Sequence, residues 1–197
     1  MFSLLKFSFF SRNKQPEIEE RPQTEEEIAD YRKDYKKGII SMFDNQWKIP
    51  VGCNQRYNLS AVYELFFEKA KDHIKIFSHP RELGTLADEE VLRYMHRSLT
   101  NFIDFKLIIP VNTKIPESLL KMQEEYSTFH IRSSKENENI ANFAIMDEIS
   151  VRFREENQEA HGWFLPYEPN LVKKMIKSFD RLWLKSENPG FQPTLTP

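Results

Sequence analysis

The sequence predicts a layered α/β domain, and three observations lead there. Apolar residues switch repeatedly between helical spacing and short β-like runs along the chain. One run, residues 105–111, is apolar almost throughout, as a strand covered on both faces must be. The 197 residues are 40% hydrophobic and 13% aromatic, enough to fill the core of one domain with a tail.

The elements follow in order. Residues 11–32 are polar and highly charged, with breaks at Pro16 and Pro22, and read as a linker. Thr24 and Glu27 stand at capping-box spacing, so a helix begins there and runs toward Gly38. The chain thus divides into an apolar end, charged linker and short helix (1–40), an α/β domain (41–190) and a flexible tail (191–197). Leu59, Val62, Tyr63, Phe66 and Ala70 recur at helical spacing, and residues 73–78 then read as a strand. Acids at 88–90 open a helix lined by Val91, Leu92, Met95 and Leu99, ahead of the strand at 105–111. Pro116 suits the first turn of a helix carrying Leu119, Leu120 and Met122, and residues 128–132 form the next strand. Residues 142–147, 149–153 and 162–165 are β-like. Pro169 opens a final amphipathic helix through Leu171, Met175, Phe179, Leu182 and Trp183.

Composition narrows the function. Twenty-eight Lys and Arg against thirty Asp and Glu give a net charge of −2, so attraction to nucleic acid or anionic lipid must be local. The single cysteine, Cys53, cannot form an intramolecular disulfide, and a cytoplasmic location is expected. Residues 1–10 are a mainly apolar stretch interrupted by Lys6, and lack the basic region and cleavage site of a signal peptide. Phe2, Leu5, Phe9 and Phe10 are instead candidates for docking a partner protein or a membrane surface. No run reaches the roughly 18–20 apolar residues of a spanning helix. His73, His79, His96, His130 and His161 are scattered and no cysteine pair exists, so neither a metal nor another cofactor is expected. Five glycines without phosphate-loop spacing exclude the common nucleotide folds, and Val51-Gly52-Cys53 is no nucleophile turn.

Two segments bear on phosphodiester chemistry. His73-Ile74-Lys75 opens like the His-x-Lys-x-x-x-x-Asp signature of the phospholipase D superfamily, but the carboxylate position holds Pro80, and strand alternation accounts for His73, Lys75 and Phe77 on one face. Ile140-Ala141-Asn142-Phe143-Ala144-Ile145-Met146-Asp147, followed by a second strand, a third and a closing helix with Phe179-Asp180-Arg181-Leu182-Trp183, resembles the signature region itself. Across residues 55–187 the order of elements is similar to one half of the phospholipase D-like fold. In that alignment Asp147 is kept, while the nucleophile position is Ile140 and the lysine position Asn142; neither side chain can attack phosphorus or supply a positive charge.

The chain therefore resembles degenerate single-unit phospholipase D-like domains, such as the ligand-sensing domains of TrmB-type regulators. The resemblance implies a layered mixed sheet flanked by helices. It also implies a non-catalytic binding or interaction subunit for a phosphate-bearing ligand or nucleic acid, in a multi-component bacterial or mobile-element system, pairing as a homodimer. The alternatives are an active phosphodiesterase or nuclease with its nucleophile moved to His79 or His73, and an adaptor docking through its N-terminal segment.

By that resemblance Asn142 points into the vestigial cleft, with Asp147 near the strand turn and Ser78 and His79 at the end of the first strand. Arg152 and Arg154 share one face of the adjoining strand and Arg132 closes a neighbouring one, so the three are candidates to hold an anion. The plainer alternatives are pairing of Arg152 and Arg154 with Glu155 and Glu156, and Asp147 as the cap of a turn. Lys173, Lys174 and Lys177, with Arg181 and Lys185, make the last helix locally basic: candidate nucleic-acid contacts, or simply its solvated face.

Overall fold

The computed structural model describes residues 24–135, 141–154 and 161–189. It holds α1 (Glu25–Asp44), β1 (Val51–Gly52), α2 (Arg56–Lys69), β2 (His73–Phe77), α3 (Pro80–Leu86), α4 (Glu89–Thr100), β3 (Asp104–Pro110), α5 (Glu117–Glu125), β4 (Phe129–Ser134), β5 (Phe143–Met146), β6 (Ser150–Arg154), β7 (Gly162–Leu165) and α6 (Pro169–Lys185). The strands form one sheet in the order β1-β7-β6-β5-β2-β3-β4. β2, β3 and β4 are parallel, whereas β5, β6, β7 and β1 pair antiparallel. The result is a mixed α/β sheet with helices on both faces, as the sequence predicts.

Alternation along each strand divides the core in two. Ile74, Ile76, Phe105, Leu107, Ile131, Ala144, Met146 and Phe164 are buried with apolar residues of α1 to α5. Phe77, Ile108, Phe143, Ile145 and Val151 are buried on the other face beneath Val172, Phe179 and Leu182 of α6. Because β3 has neighbours on both sides and helices on both faces, its sequence from Leu107 to Ile109 is continuously apolar, whereas β2 alternates His73, Ile74, Lys75 and Ile76.

Local signals place the helix starts. Thr24 and Glu27 exchange both capping-box hydrogen bonds at the head of α1. That helix continues past Gly38 to Asp44, burying Ile39, while Arg32 and Lys36 reach the buried Glu64 carboxylate on α2. Pro80 and Pro169 occupy the first turns of α3 and α6, where a missing N–H is harmless. Helix α3 and the two-residue strand β1 carry too little periodicity to be expected from sequence, and α3 proves central to the site. The candidate docking residues Phe2, Leu5, Phe9 and Phe10, most of the linker, Ile140, Glu155, Glu156 and the tail 191–197 lie outside the described residues.

Candidate ligand site at the ends of β2, β5 and β6

β2 ends at Phe77, and the chain turns through Ser78 and His79 into α3. Ser78 is fully buried; its N–H donates to the Ile108 carbonyl and its hydroxyl to the His79 carbonyl. His79 is the N-cap of α3 and sets its ring edge-on to Phe77, with centroids 5.4 Å apart. Asn142, just before β5, comes alongside because β5 runs antiparallel to β2 in the register Phe77↔Phe143. Its Oδ1 accepts the His79 N–H at 2.8 Å, and its carbonyl accepts the Arg154 N–H at 2.9 Å.

Arg152 and Arg154 project from β6 toward α3, where both meet Glu82. Arg152 Nη1 and Nη2 donate to the two Glu82 oxygens at 2.5 and 2.8 Å, and Arg154 Nη1 approaches Oε1 at 3.4 Å. The Arg152 and Glu82 side chains are 2% and 3% exposed, whereas Arg154 is 24% exposed. Among the described residues, two guanidiniums thus share one carboxylate, leaving a net positive charge that reaches solvent at Arg154. Burial by itself would push the Glu82 carboxyl up, but the charges and hydrogen bonds of Arg152 and Arg154 outweigh it and hold the group below its ordinary value.

The floor of this cluster is closed. The Cys53 N–H donates to the Gly162 carbonyl at 2.8 Å, the Gly162 N–H donates to Asn54 Oδ1 at 2.5 Å, and the Tyr35 hydroxyl donates to the Gly52 carbonyl at 2.9 Å. Burial pushes the Cys53 thiol up, with Arg152 acting in the opposite direction, and the sulfur is enclosed. The Tyr63 hydroxyl and Arg152 Nε are buried without a hydrogen-bond partner. Burial also pushes the Tyr63 and Tyr35 hydroxyls up.

The structure brings Ser78, His79, Asn142, Arg152 and Arg154 together and places the other sequence candidates elsewhere. Asp147 is at the far end of β5. Its φ is 51°, and its carboxylate accepts the backbone N–H groups of Lys71, Asp72 and His73 at 3.0–3.1 Å, securing the entry to β2. Arg132 faces α6, on the opposite side of the sheet from Arg152; its Nη1 donates to the Trp183 carbonyl and its guanidinium lies 4.5 Å from the Trp183 ring. Lys173, Lys174 and Lys177 are exposed on α6. His73 and His79 stand at opposite ends of β2, about 20 Å apart at strand rise. Glu82, the centre of the cluster, is not legible in the sequence, where an acid in the first turn of a Pro-initiated helix signals only a dipole complement. No group of three or more His, Cys, Asp or Glu side chains among the described residues is arranged to hold a metal.

No family model matches the sequence, and no curated protein matches it by sequence. Solved structures do match. TrmBL2, an archaeal chromatin protein described with a novel mode of DNA binding, superposes with a TM-score of 0.57 at 13% identity, over 83% of this chain and 64% of that one. The chain therefore spans less than two thirds of TrmBL2. NucT from Helicobacter pylori superposes with a TM-score of 0.52 at 10% identity, over 71% of this chain and 97% of that one. Nuc from Salmonella typhimurium, a phospholipase D family member, gives 0.48 at 11% identity, over 64% of this chain and 87% of that one. At such identities the likeness is one of fold: a layered mixed α/β sheet shared with TrmBL2 and NucT.

Proposed function

We propose that this chain is a non-catalytic phospholipase D-like binding module, recognising a phosphate-bearing ligand or nucleic acid within a multi-component bacterial or mobile-element system. One observation carries it: both polar side chains that align with the signature, Asn142 and Asp147, are engaged by backbone N–H groups rather than aimed at a reacting atom. The accessible charge of the Arg152, Arg154 and Glu82 cluster favours an anionic ligand, with Arg154 as its contact and His79 and Asn142 beside it. TrmBL2's DNA binding supports the nucleic-acid branch of this reading. A homodimer across this region, and a cytoplasmic setting, belong to the same proposal by analogy with single-unit domains.

Native mass spectrometry of protein purified gently at low salt is the test. A dimer carrying a small anion or oligonucleotide, lost in the Arg154→Glu variant, is the expected result. Metal-independent hydrolysis of bis(p-nitrophenyl) phosphate that survives Asn142→Ala and Asp147→Ala and follows the pure protein overturns it. If that turnover disappears in a His73→Ala, His79→Ala variant, the nucleophile has moved to one of these histidines. A bare chain held by another polypeptide through residues 1–20 assigns the adaptor role instead.

A further inference from the structure

The second candidate site is on the face of the sheet under α6, at the open edge of β4. The registers Lys75↔Lys106 and Lys106↔His130 set three cation-capable side chains directly opposite one another on β2, β3 and β4. Like charges in such positions repel, and a fold gains nothing from them unless something else requires them. Lys75 is met by Asp180 of α6 at 2.6 Å and Lys106 by Asp104 at 2.5 Å. His130 is exposed, and Arg132 follows two residues along β4 on the same face.

Lys106, His130 and Arg132 line a cleft of about 200 Å³ together with Gln123, Ile131, Trp183 and Asn188. Arg132 gives one N–H to the Trp183 carbonyl, which leaves the rest of its donor fork for another acceptor. The strand edge contributes as well. Phe105 N–H bonds to Thr128 O, Val111 N–H to Ser134 O, and Ser133 pairs outward with Glu187. By alternation, the Ile131 N–H and C=O also turn outward, at the cleft. Gln123 Oε1 is buried there without a partner, and half a turn of the amide would present its NH2 instead. Two cationic side chains, with Asp104 beside one of them, an imidazole, a backbone donor and an amide thus converge on a volume suited to one small anion.

We propose that the β4 edge carries a phosphate-binding cleft, built from Lys106, His130, Arg132 and the Ile131 N–H, on the face of the sheet opposite the Arg154 cluster and independent of it. The group recognised is a phosphate, free, terminal on a nucleotide, or internal to a nucleic-acid backbone. Trp183 is the reporter, since Arg132 and Lys106 lie 4.5 and 5.9 Å from its ring centre.

In a Trp47→Phe, Trp163→Phe background, Trp183 emission is followed while inorganic phosphate, adenosine 5′-monophosphate and a short single-stranded oligonucleotide without terminal phosphate are added. Chloride at equal ionic strength is the control. A saturable change with at least one of the three is expected. Response to the first two marks a free or terminal phosphate, and response to the oligonucleotide alone a backbone phosphate. Lys106→Gln with His130→Gln should weaken binding about tenfold or more, as loss of charge-assisted hydrogen bonds does. His130→Glu, which puts a negative charge at an exposed position and leaves the core intact, should weaken it as well. No saturable change with any of the three, or unchanged affinity in a His130→Glu variant of native circular dichroism, overturns the proposal. Either result leaves the Arg154 site untouched, because Trp183 is on the other face.

Discussion

Arg152 and Glu82, 70 positions apart, form a two-point ion pair at 2.5 and 2.8 Å that joins the sheet to α3 in nearly complete exclusion from solvent. Its energetics are those of a buried pair: the attraction largely repays desolvation, and the large penalty comes from breaking it on one side.

Glu82→Gln should therefore lower unfolding stability by about 3–5 kcal/mol, because Arg152 is left charged and buried. The paired replacement Glu82→Met with Arg152→Met should recover most of that loss. Urea denaturation of the three proteins checks this; equal stability of Glu82→Gln and wild type would rule it out.

The same pair predicts an acid limb. With the Glu82 carboxyl held below its ordinary value in the fold, the unfolded chain takes up the proton first. The stabilisation is complete above the ordinary carboxylate range and disappears as pH falls through the folded value, from about pH 5 downward. Glu82→Gln should show a flatter decline of unfolding free energy over that range than the parent protein.

Asp147 is expected to act on stability alone. Its carboxylate holds three backbone N–H groups, so Asp147→Ala should cost about 2–4 kcal/mol by stranding donors at the start of β2. Anion capture by the protein that remains folded should be unchanged. A variant of native stability that loses ligand would instead place Asp147 in the binding site.

The Gly162 and Cys53 contact makes two more tests. A Cβ on Gly162 would lie 3.0 Å from the Cys53 carbonyl oxygen, 3.2 Å from its sulfur and 3.4 Å from Arg152 Nη2. Gly162→Ala should lose about 1–3 kcal/mol, the usual penalty of overpacking, in thermal unfolding. The Cys53 thiol, buried and pushed up, should resist Ellman's reagent in the native protein and react at once in guanidinium.

Most elements were legible because their signals are local. The capping box at Thr24 and Glu27, the proline heading α6, and the apolar run in β3 each act within a few residues. Helix α3 escaped notice because seven residues hold too little periodicity, and the same brevity hid β1. Arg152 and Arg154 could be put on one face from strand alternation, but Glu82 could not be named as their partner. Arg132, grouped with them by chain position, lies on the opposite face because β4 presents Ile131 to the first core and its neighbour to α6.

By itself, the sequence determined the α/β class and the order of most elements. Those properties are written in residue type and short-range spacing. Only the tertiary structure decided which charges meet: that Arg152 and Arg154 converge on Glu82, that Asn142 and Asp147 serve backbone amides, and that Lys106, His130 and Arg132 border one cleft. Spacing fixes the face on which a side chain emerges; its partner is set by which strand or helix the fold lays beside that face, tens of residues away.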